Sequence, residues 1–261
     1  MFFQFEVQVV MSFMGSRLIH MEETDSTNEE IKRLCAVLPH GAIVVADSQS
    51  MGKGRLGRNW SSPKDEGLWM SFILRPELSP EKCAGLTLVV ALSLTVALRE
   101  ITGLDIEIKW PNDLVVNGCK LSGILTEMVT RDMEVDYIVA GVGVNLTTMD
   151  FPADIKDTAT SLSKEGVIDI DKMKIVKVFS SYFEKYFEQY VKTGDFSLLR
   201  EEYEKYLVNC GKEVRVIGSA EELRGIATGI NSDGELLLDV GDKIITIRAG
   251  EVSVRGIYGY V

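Results

Sequence analysis

Three short segments hold residues whose types and spacing can do chemistry. The first, Met51 to Trp60, reads MGKGRLGRNW and carries Lys53, Arg55 and Arg58 among three glycines with no acid. In a chain of formal net charge -11 such a cluster is a candidate anion site. Glycines let backbone approach a ligand and offer N–H groups, while arginines present fixed forks to carboxylate and phosphate oxygens. A solvated basic turn carries the same signature. Gly52, Gly54 and Gly57 also satisfy GxGxxG. A dinucleotide-binding loop must open a helix within a βαβ unit, however, and Arg58 to Pro63 reads on as loop.

The second segment, Lys109 to Gly123, reads KWPNDLVVNGCKLSG. Trp110-Pro111 sets an extended turn, Asn112 and Asp113 stand at a strand start, and Lys120 follows an Asn117-Gly118 hairpin turn. Pairing across that turn brings Asp113 and Lys120 together. A lysine there can steady a carboxylate attacking an α-phosphate, and the acid can hold a metal or receive a proton. An ordinary cross-strand ion pair looks the same. The third segment, Gly141-Val142-Gly143-Val144-Asn145, ends an apolar strand in an amide that either reads an adenine edge or caps the strand.

The elements that position these segments follow from periodicity. Phe3, Phe5, Val7 and Val9 alternate with polar residues as in a half-buried strand, with Met11 and Met14 as alternative starts. Asp25-Ser26-Thr27-Asn28 precede a helix with Ile31, Leu34, Cys35 and Leu38 on one face, and Thr27 to Glu30 fits a capping box. Strands are expected at Gly41–Ala46 and Leu68–Leu74, separated by the polar loop Asp47–Ser62. A core helix opens at Ser79-Pro80 and runs to about Ile101. Strands follow at Asp105–Trp110, Leu114–Val116, Lys120–Met128 and Tyr137–Val144. Two helices, Asp171–Lys192 and Asp195–Val208, carry the stripe Val176, Phe179, Phe183, Tyr186 and Tyr190. From Gly211 short alternating strands, split at Ser232-Asp233-Gly234 and Gly241-Asp242, suit a small β-barrel. The expected division is a catalytic domain over 1–208 and a barrel over 209–261.

Composition narrows the classes. The 261 residues, 46% hydrophobic and 26% charged, suit a globular protein, and the acidic balance argues against broad nucleic-acid binding. Cys35, Cys83, Cys119 and Cys210 lie far apart without CxxC spacing, so the cytoplasm is the expected compartment. With His20 and His40 alone, a histidine triad or multi-histidine metal site is disfavoured. The N-terminal run lacks a basic n-region, and Cys83–Leu98 is shorter than the ~20 residues of a membrane span. No membrane or nucleic-acid partner is therefore expected.

In this order the motifs resemble the biotin–protein ligase family. Asp25-Ser26-Thr27-Asn28, Gln49, Gly52 to Trp60, Lys109-Trp110-Pro111-Asn112-Asp113, Lys120-Leu121-Ser122-Gly123 and Gly143-Val144-Asn145 match its pattern, from about Leu18 to Val261. Gly250-Glu251-Val252-Ser253 looks typical of its C-terminal barrel. The resemblance implies an α+β fold, the mixed sheet of class II aminoacyl-tRNA synthetases and biotin ligases, with an SH3-like C-terminal barrel. It implies that biotin and Mg-ATP (Mg2+ being the expected metal) form biotinyl-5'-AMP, and that biotin passes to a lysine of a biotin carboxyl carrier domain. Ser26, Thr27, Asn28 and Gln49 would bind the biotin head, with Lys53, Gly54, Arg55, Lys120 and Gly123 completing its site. Arg58, Trp60, Asn112, Lys120 and Asn145 would lie on the ATP side. Lys120, Arg55 and Asp113 would be catalytic, with Asp113 a candidate magnesium ligand. The loop Thr147–Leu162 resembles one that orders over adenine, and a homodimer is expected. One departure is Lys53, where the family most often has arginine; lysine keeps the charge and loses the planar fork. The rivals are a lipoate or octanoate ligase, a non-catalytic biotin sensor, which would need a DNA-binding domain that the residues before Leu18 do not hold, and an acyltransferase using Cys119.

Overall fold

A strand that is buried at every position must be covered on both faces, and β3 (Gly67–Leu74) is such a strand. In the computed structural model, which describes residues 13–218, 222–250, 252–256 and 260–261, it lies inside a seven-stranded mixed sheet ordered β1-β2-β3-β7-β6-β5-β4. The members are β1 (Leu18–Thr24), β2 (Ile43–Gln49), β3, β4 (Glu107–Lys109), β5 (Asp113–Val116), β6 (Cys119–Arg131) and β7 (Glu134–Asn145). Only β1 and β2 run parallel; every other neighbouring pair is antiparallel. The strand expected over residues 2–10 lies outside the described residues.

The two faces divide by side-chain parity. Leu68, Met70, Phe72 and Leu74 join the main core with α3 (Leu86–Thr102) and α4 (Lys172–Thr193). Phe72 meets Phe183 at a centroid distance of 5.0 Å, and Phe179, Phe183 and Phe187 stack in series. The aromatic stripe is thus core. On the opposite face Ile73, Val139 and Tyr137 pack with Val44 against Ile31 of α1 (Thr27–Leu34). Because α1 is only 8 residues long, it covers part of that face and leaves the rest open. Pro80–Thr102 is apolar and long enough to cross a membrane, but it is mostly buried between sheet and α4.

Several expectations need correction. The capping box does not form: Ser26 is the extended N-cap residue, Thr27 is already helical, and no side chain caps α1. The helix expected from Ser79 breaks into α2 (Pro80–Cys83) and α3, at Gly85, where a Cβ would lie 2.2 Å from the Tyr190 hydroxyl that bonds the Lys82 carbonyl. Where a helix was expected over 195–208, α5 holds only Arg200–Glu204, because Phe196 is engaged by the carbonyl of Ser232 and Leu207 bridges Ile108. Strand β1 carries no clean alternation and was not foreseen.

After α5 comes a five-stranded antiparallel sheet, β11-β10-β9-β8-β12, made of β8 (Glu213–Ile217), β9 (Leu223–Ile230), β10 (Leu236–Asp239), β11 (Ile244–Ile247) and β12 (Ser253–Gly256). Its inward residues, Val214, Ala227, Leu236 and Val254 among them, are continuous with the main core. Trp110 fastens the two: its backbone N–H donates to Asn209 Oδ1 and its indole N–H to the Gly234 carbonyl. Phe183, fully buried at the centre of the aromatic series, tests this packing. Phe183→Ala is expected to lower unfolding free energy by about 3–5 kcal/mol, measured by urea denaturation.

Candidate functional site

The uncovered part of the α1 face is floored by glycine. In register across the sheet, Ser71 pairs with Gly141, and Trp69 with Gly143, which pairs with Gly123. A Cβ at Gly141 would lie 2.3 Å from Asn28 Oδ1, one at Gly143 2.4 Å from Trp60 Nε1, and one at Gly123 2.8 Å from the Trp60 ring. The glycines therefore let α1 and the basic loop approach the sheet, and a small pocket remains between them. Ser26, Thr27, Asn28, Gln49, Lys53, Gly54, Arg55, Trp60, Asn112, Lys120 and Gly123 all line it. The Trp60 indole N–H is buried without a partner. A buried donor left unpaired is costly, which makes it available to a ligand.

The polar lining is organised as a circuit. Thr27 N donates to Gln49 Oε1 at 2.8 Å, and Thr27 Oγ1 lies 2.6 Å from Ser71 Oγ, which donates to Asn28 Oδ1 at 2.6 Å. Asn28 Nδ2 donates to Glu127 at 2.7 Å; Lys32 joins Glu127 to Glu29, 2.8 Å from each; and Lys53 reaches Glu29 at 2.7 Å. On the other side Gln49 Nε2 donates to Ser62 Oγ at 2.8 Å, and Ser62 Oγ donates to the Trp60 carbonyl. Both ends of the loop are thereby tied to one set of pocket residues. Hydrogen bonds from Lys32 and Lys53 hold the Glu29 carboxyl below its usual range. Lys53, expected on the ligand, is thus also an anchor of the loop.

Next to this pocket a larger chamber of about 890 Å³ lies between the sheet and the C-terminal strands. Arg58, Asn145, Lys109, Asp113, Arg255 and Tyr260 line it, with residues of the loop after β7. Arg55, Trp60, Asn112 and Lys120 line both cavities. Arg55 donates to Asn112 Oδ1 at 2.9 Å and to the Gly250 carbonyl, so the loop tip bridges to the C-terminal sheet. Asn145 lines the chamber, and its amide donates to Thr160 O at 3.0 Å, pinning the following loop. Glu251 of the C-terminal motif lies outside the described residues.

The Asp113–Lys120 approach expected across the hairpin is present, with Lys120 Nζ 2.6 Å from Asp113 Oδ1. Burial opposes the Asp113 charge, but Lys120 and Lys109 outweigh it and leave the carboxyl below its ordinary range. Its other oxygen accepts from Tyr260. Among the described residues no cluster of three His, Cys, Asp or Glu side chains could hold a metal ion. Nor is Cys119 an activated nucleophile: its thiol faces the Asp157 carbonyl, His20 pairs with Asp47, and His40 stacks on Phe13. Ser71, Lys109, Arg255 and Tyr260 were not foreseen as site residues. Ser71, one hydroxyl in the apolar strand GLWMSFIL, and Lys109, heading KWPND, were visible signals; Tyr260 gave none.

A small polar pocket and a larger chamber thus share the cations Arg55 and Lys120. A model of the Biotin/lipoate A/B protein ligase family matches residues 20–145, and one of the Biotin protein ligase C terminal domain matches residues 210–255. The bifunctional ligase/repressor BirA of Bacillus subtilis is 35% identical over 244 residues, 92% of this chain and 75% of that protein. The biotin–(acetyl-CoA-carboxylase) ligase of Paracoccus denitrificans is 31% identical, over 90% of this chain and all of that one. The biotin protein ligase of Aquifex aeolicus, solved in complex with biotin and ATP, superposes with a TM-score of 0.82 at 31% identity, covering 92% of this chain and 99% of that one. The chain belongs to the biotin protein ligase family.

Lys109 carries a consequence that does not depend on any ligand. Burial, opposed by attraction to Asp113 and aided by repulsion from Arg255, pushes its ammonium down to about 7. Between that value and the ordinary ~10.4 of an unfolded lysine the unfolded chain binds more protons, so stability rises with pH across this window. From pH 7 to 9 the wild type is expected to gain about 2 kcal/mol relative to Lys109→Met, measured by urea denaturation of both proteins at the two pH values.

Proposed function

We propose that this ligase activates biotin with ATP and passes it to a lysine of a biotin carboxyl carrier domain. In the first step a biotin carboxylate oxygen bonds to the α-phosphorus of Mg-ATP and the bond to pyrophosphate breaks, leaving biotinyl-5'-AMP. In the second the carrier ε-amine bonds to the acyl carbon, AMP leaves, and the amine loses its proton. The observation that carries this reading is the position of Lys120 and Arg55 on both cavities. Two anions must meet there, and fixed cations aimed at the charge that develops are the strongest single aid a site can give. Magnesium enters with the nucleotide.

The other roles follow from placement. Ser26, Thr27, Asn28 and Gln49, already held in one hydrogen-bonded set, are assigned to the biotin head, with the free Trp60 N–H as a donor beside them. Lys53, Gly54 and Gly123 close that site, and Arg58, Asn112 and Asn145 with the indole of Trp60 are assigned to the nucleotide. Asp113, ionised and beside Lys120, is assigned to the proton of the incoming amine. A polar head pocket supports biotin over lipoate, whose apolar chain would find few partners among these side chains. Four free cysteines agree with a reducing compartment, the cytoplasm. Pairing into a homodimer belongs to the same reading. So does a division at Asn209 between a catalytic domain, 1–208, and a C-terminal domain, 209–261.

Mass spectrometry of the chain incubated with Mg-ATP, biotin and a carrier domain tests the whole reading. A biotin-sized gain on the carrier lysine is expected, and Lys120→Ala is expected to slow it by about 10²-fold or more. Labelling with lipoate in place of biotin would overturn the substrate; labelling unaffected in the variant would overturn the role of Lys120.

A further inference from the structure

The Asp113 carboxylate is held from two domains. From β6, Lys120 takes Oδ1 at 2.6 Å; from beyond β12, the Tyr260 hydroxyl donates to Oδ2. Tyr260 is itself clamped. Lys109 Nζ lies 3.7 Å above its ring centre and the Arg255 guanidinium 4.9 Å from it. At Gly256 a Cβ would lie 2.1 Å from the Val261 carbonyl oxygen, so glycine there lets residues 260 and 261 lie back against β12. Residue 260 falls after the stretch that the C-terminal family model matches, which ends at 255. Arg55 and Arg58 of the basic loop complete the charged groups facing this centre. The phenol is pushed well above its ordinary range, by burial first and by Asp113 next, so it remains a donor at any working pH.

The pair places two conflicting demands on Lys120. Lys120 must serve the biotin carboxylate, yet it stands on a buried carboxylate that would be left bare by its departure, and a bare buried charge is costly. We propose that Tyr260 is a positioning residue whose hydroxyl shares the charge of Asp113, so that Lys120 can leave that carboxylate for the carboxylate of biotin. This deepens the biotin reading and rests on it. Without the hydroxyl, Asp113 leans on its lysines, Lys120 the one in contact, and competes with the substrate for it.

Biotin affinity, measured by isothermal titration at pH 8 on the full chain, separates the alternatives. Tyr260→Phe is expected to weaken binding by about tenfold, the size of a hydrogen bond to a charged group. Asp113→Asn removes the competitor, so it is expected to bind biotin at least as tightly as wild type, and adding Tyr260→Phe to it should change affinity by less than about twofold. Wild-type affinity in Tyr260→Phe overturns the proposal, as does the same tenfold loss in the Asp113→Asn background, which would mean that the ring merely packs. Should Tyr260→Phe unfold, Asp113→Asn carries the test alone, since weaker binding by that variant contradicts competition. A wild-type chain that binds lipoate and not biotin would overturn the substrate reading as well, and is recognisable because it does not depend on any variant.

Discussion

A carboxylate largely withdrawn from water needs its countercharges fixed in place, and Asp113 is such a group. Its neighbours are far apart in sequence: Lys109 from β4, Lys120 from β6 and Tyr260 from beyond β12. The segment that delivers it, Trp110 to Asn112, is fastened to both sheets, because Trp110 bonds Asn209 and Gly234 while Asn112 bonds Ile124 and receives Arg55. Charge satisfaction at one buried point thus fixes how the two sheets meet. A salt bridge buried in this way is weak evidence of stability but strong evidence of position.

The second constraint is the shortness of α1. A longer helix would have covered the α1 face as α3 and α4 cover the other. With 8 residues it buries Ile31 against β2, β3 and β7 and then stops, presenting Ser26 to Asn28 to the remaining glycine floor. The pocket is the part of a sheet face that no helix occupies. Gly123, Gly141 and Gly143 leave its floor bare of Cβ atoms, so side chains from above can reach the backbone.

Much of this was legible in the residues. Apolar runs between turn signals located β3, β6 and β7, although their ends ran beyond the expected bounds, and the turn at Asn117-Gly118 brought Lys120 to Asp113. The motifs gave most of the pocket lining, since charged and glycine-rich stretches stand out in an apolar, acidic chain. What stayed hidden has physical reasons. Strand β1 is mostly exposed and polar, held by pairing with β2 rather than by its own pattern. The break at Gly85 depends on a tyrosine more than a hundred residues away. Thr27 fits a capping box locally, but Ser71 and Gln49 claim its hydroxyl, and tertiary partners override a local rule. Tyr260 belongs to no periodic element, so nothing near it in sequence points to Asp113.

Besides the Arg55 contacts at its tip, the basic loop has tethers at its two ends that differ in kind. At Lys53 the hold is an ion pair open to water, with 43% and 29% of the two side chains exposed, a kind of contact worth at most about 1 kcal/mol. At the other end Ser62 is buried and bonded to Gln49, inside the pocket set itself. The loop therefore rests on one contact that salt can screen and on one that water does not reach, and only the first is expected to weaken as ionic strength rises.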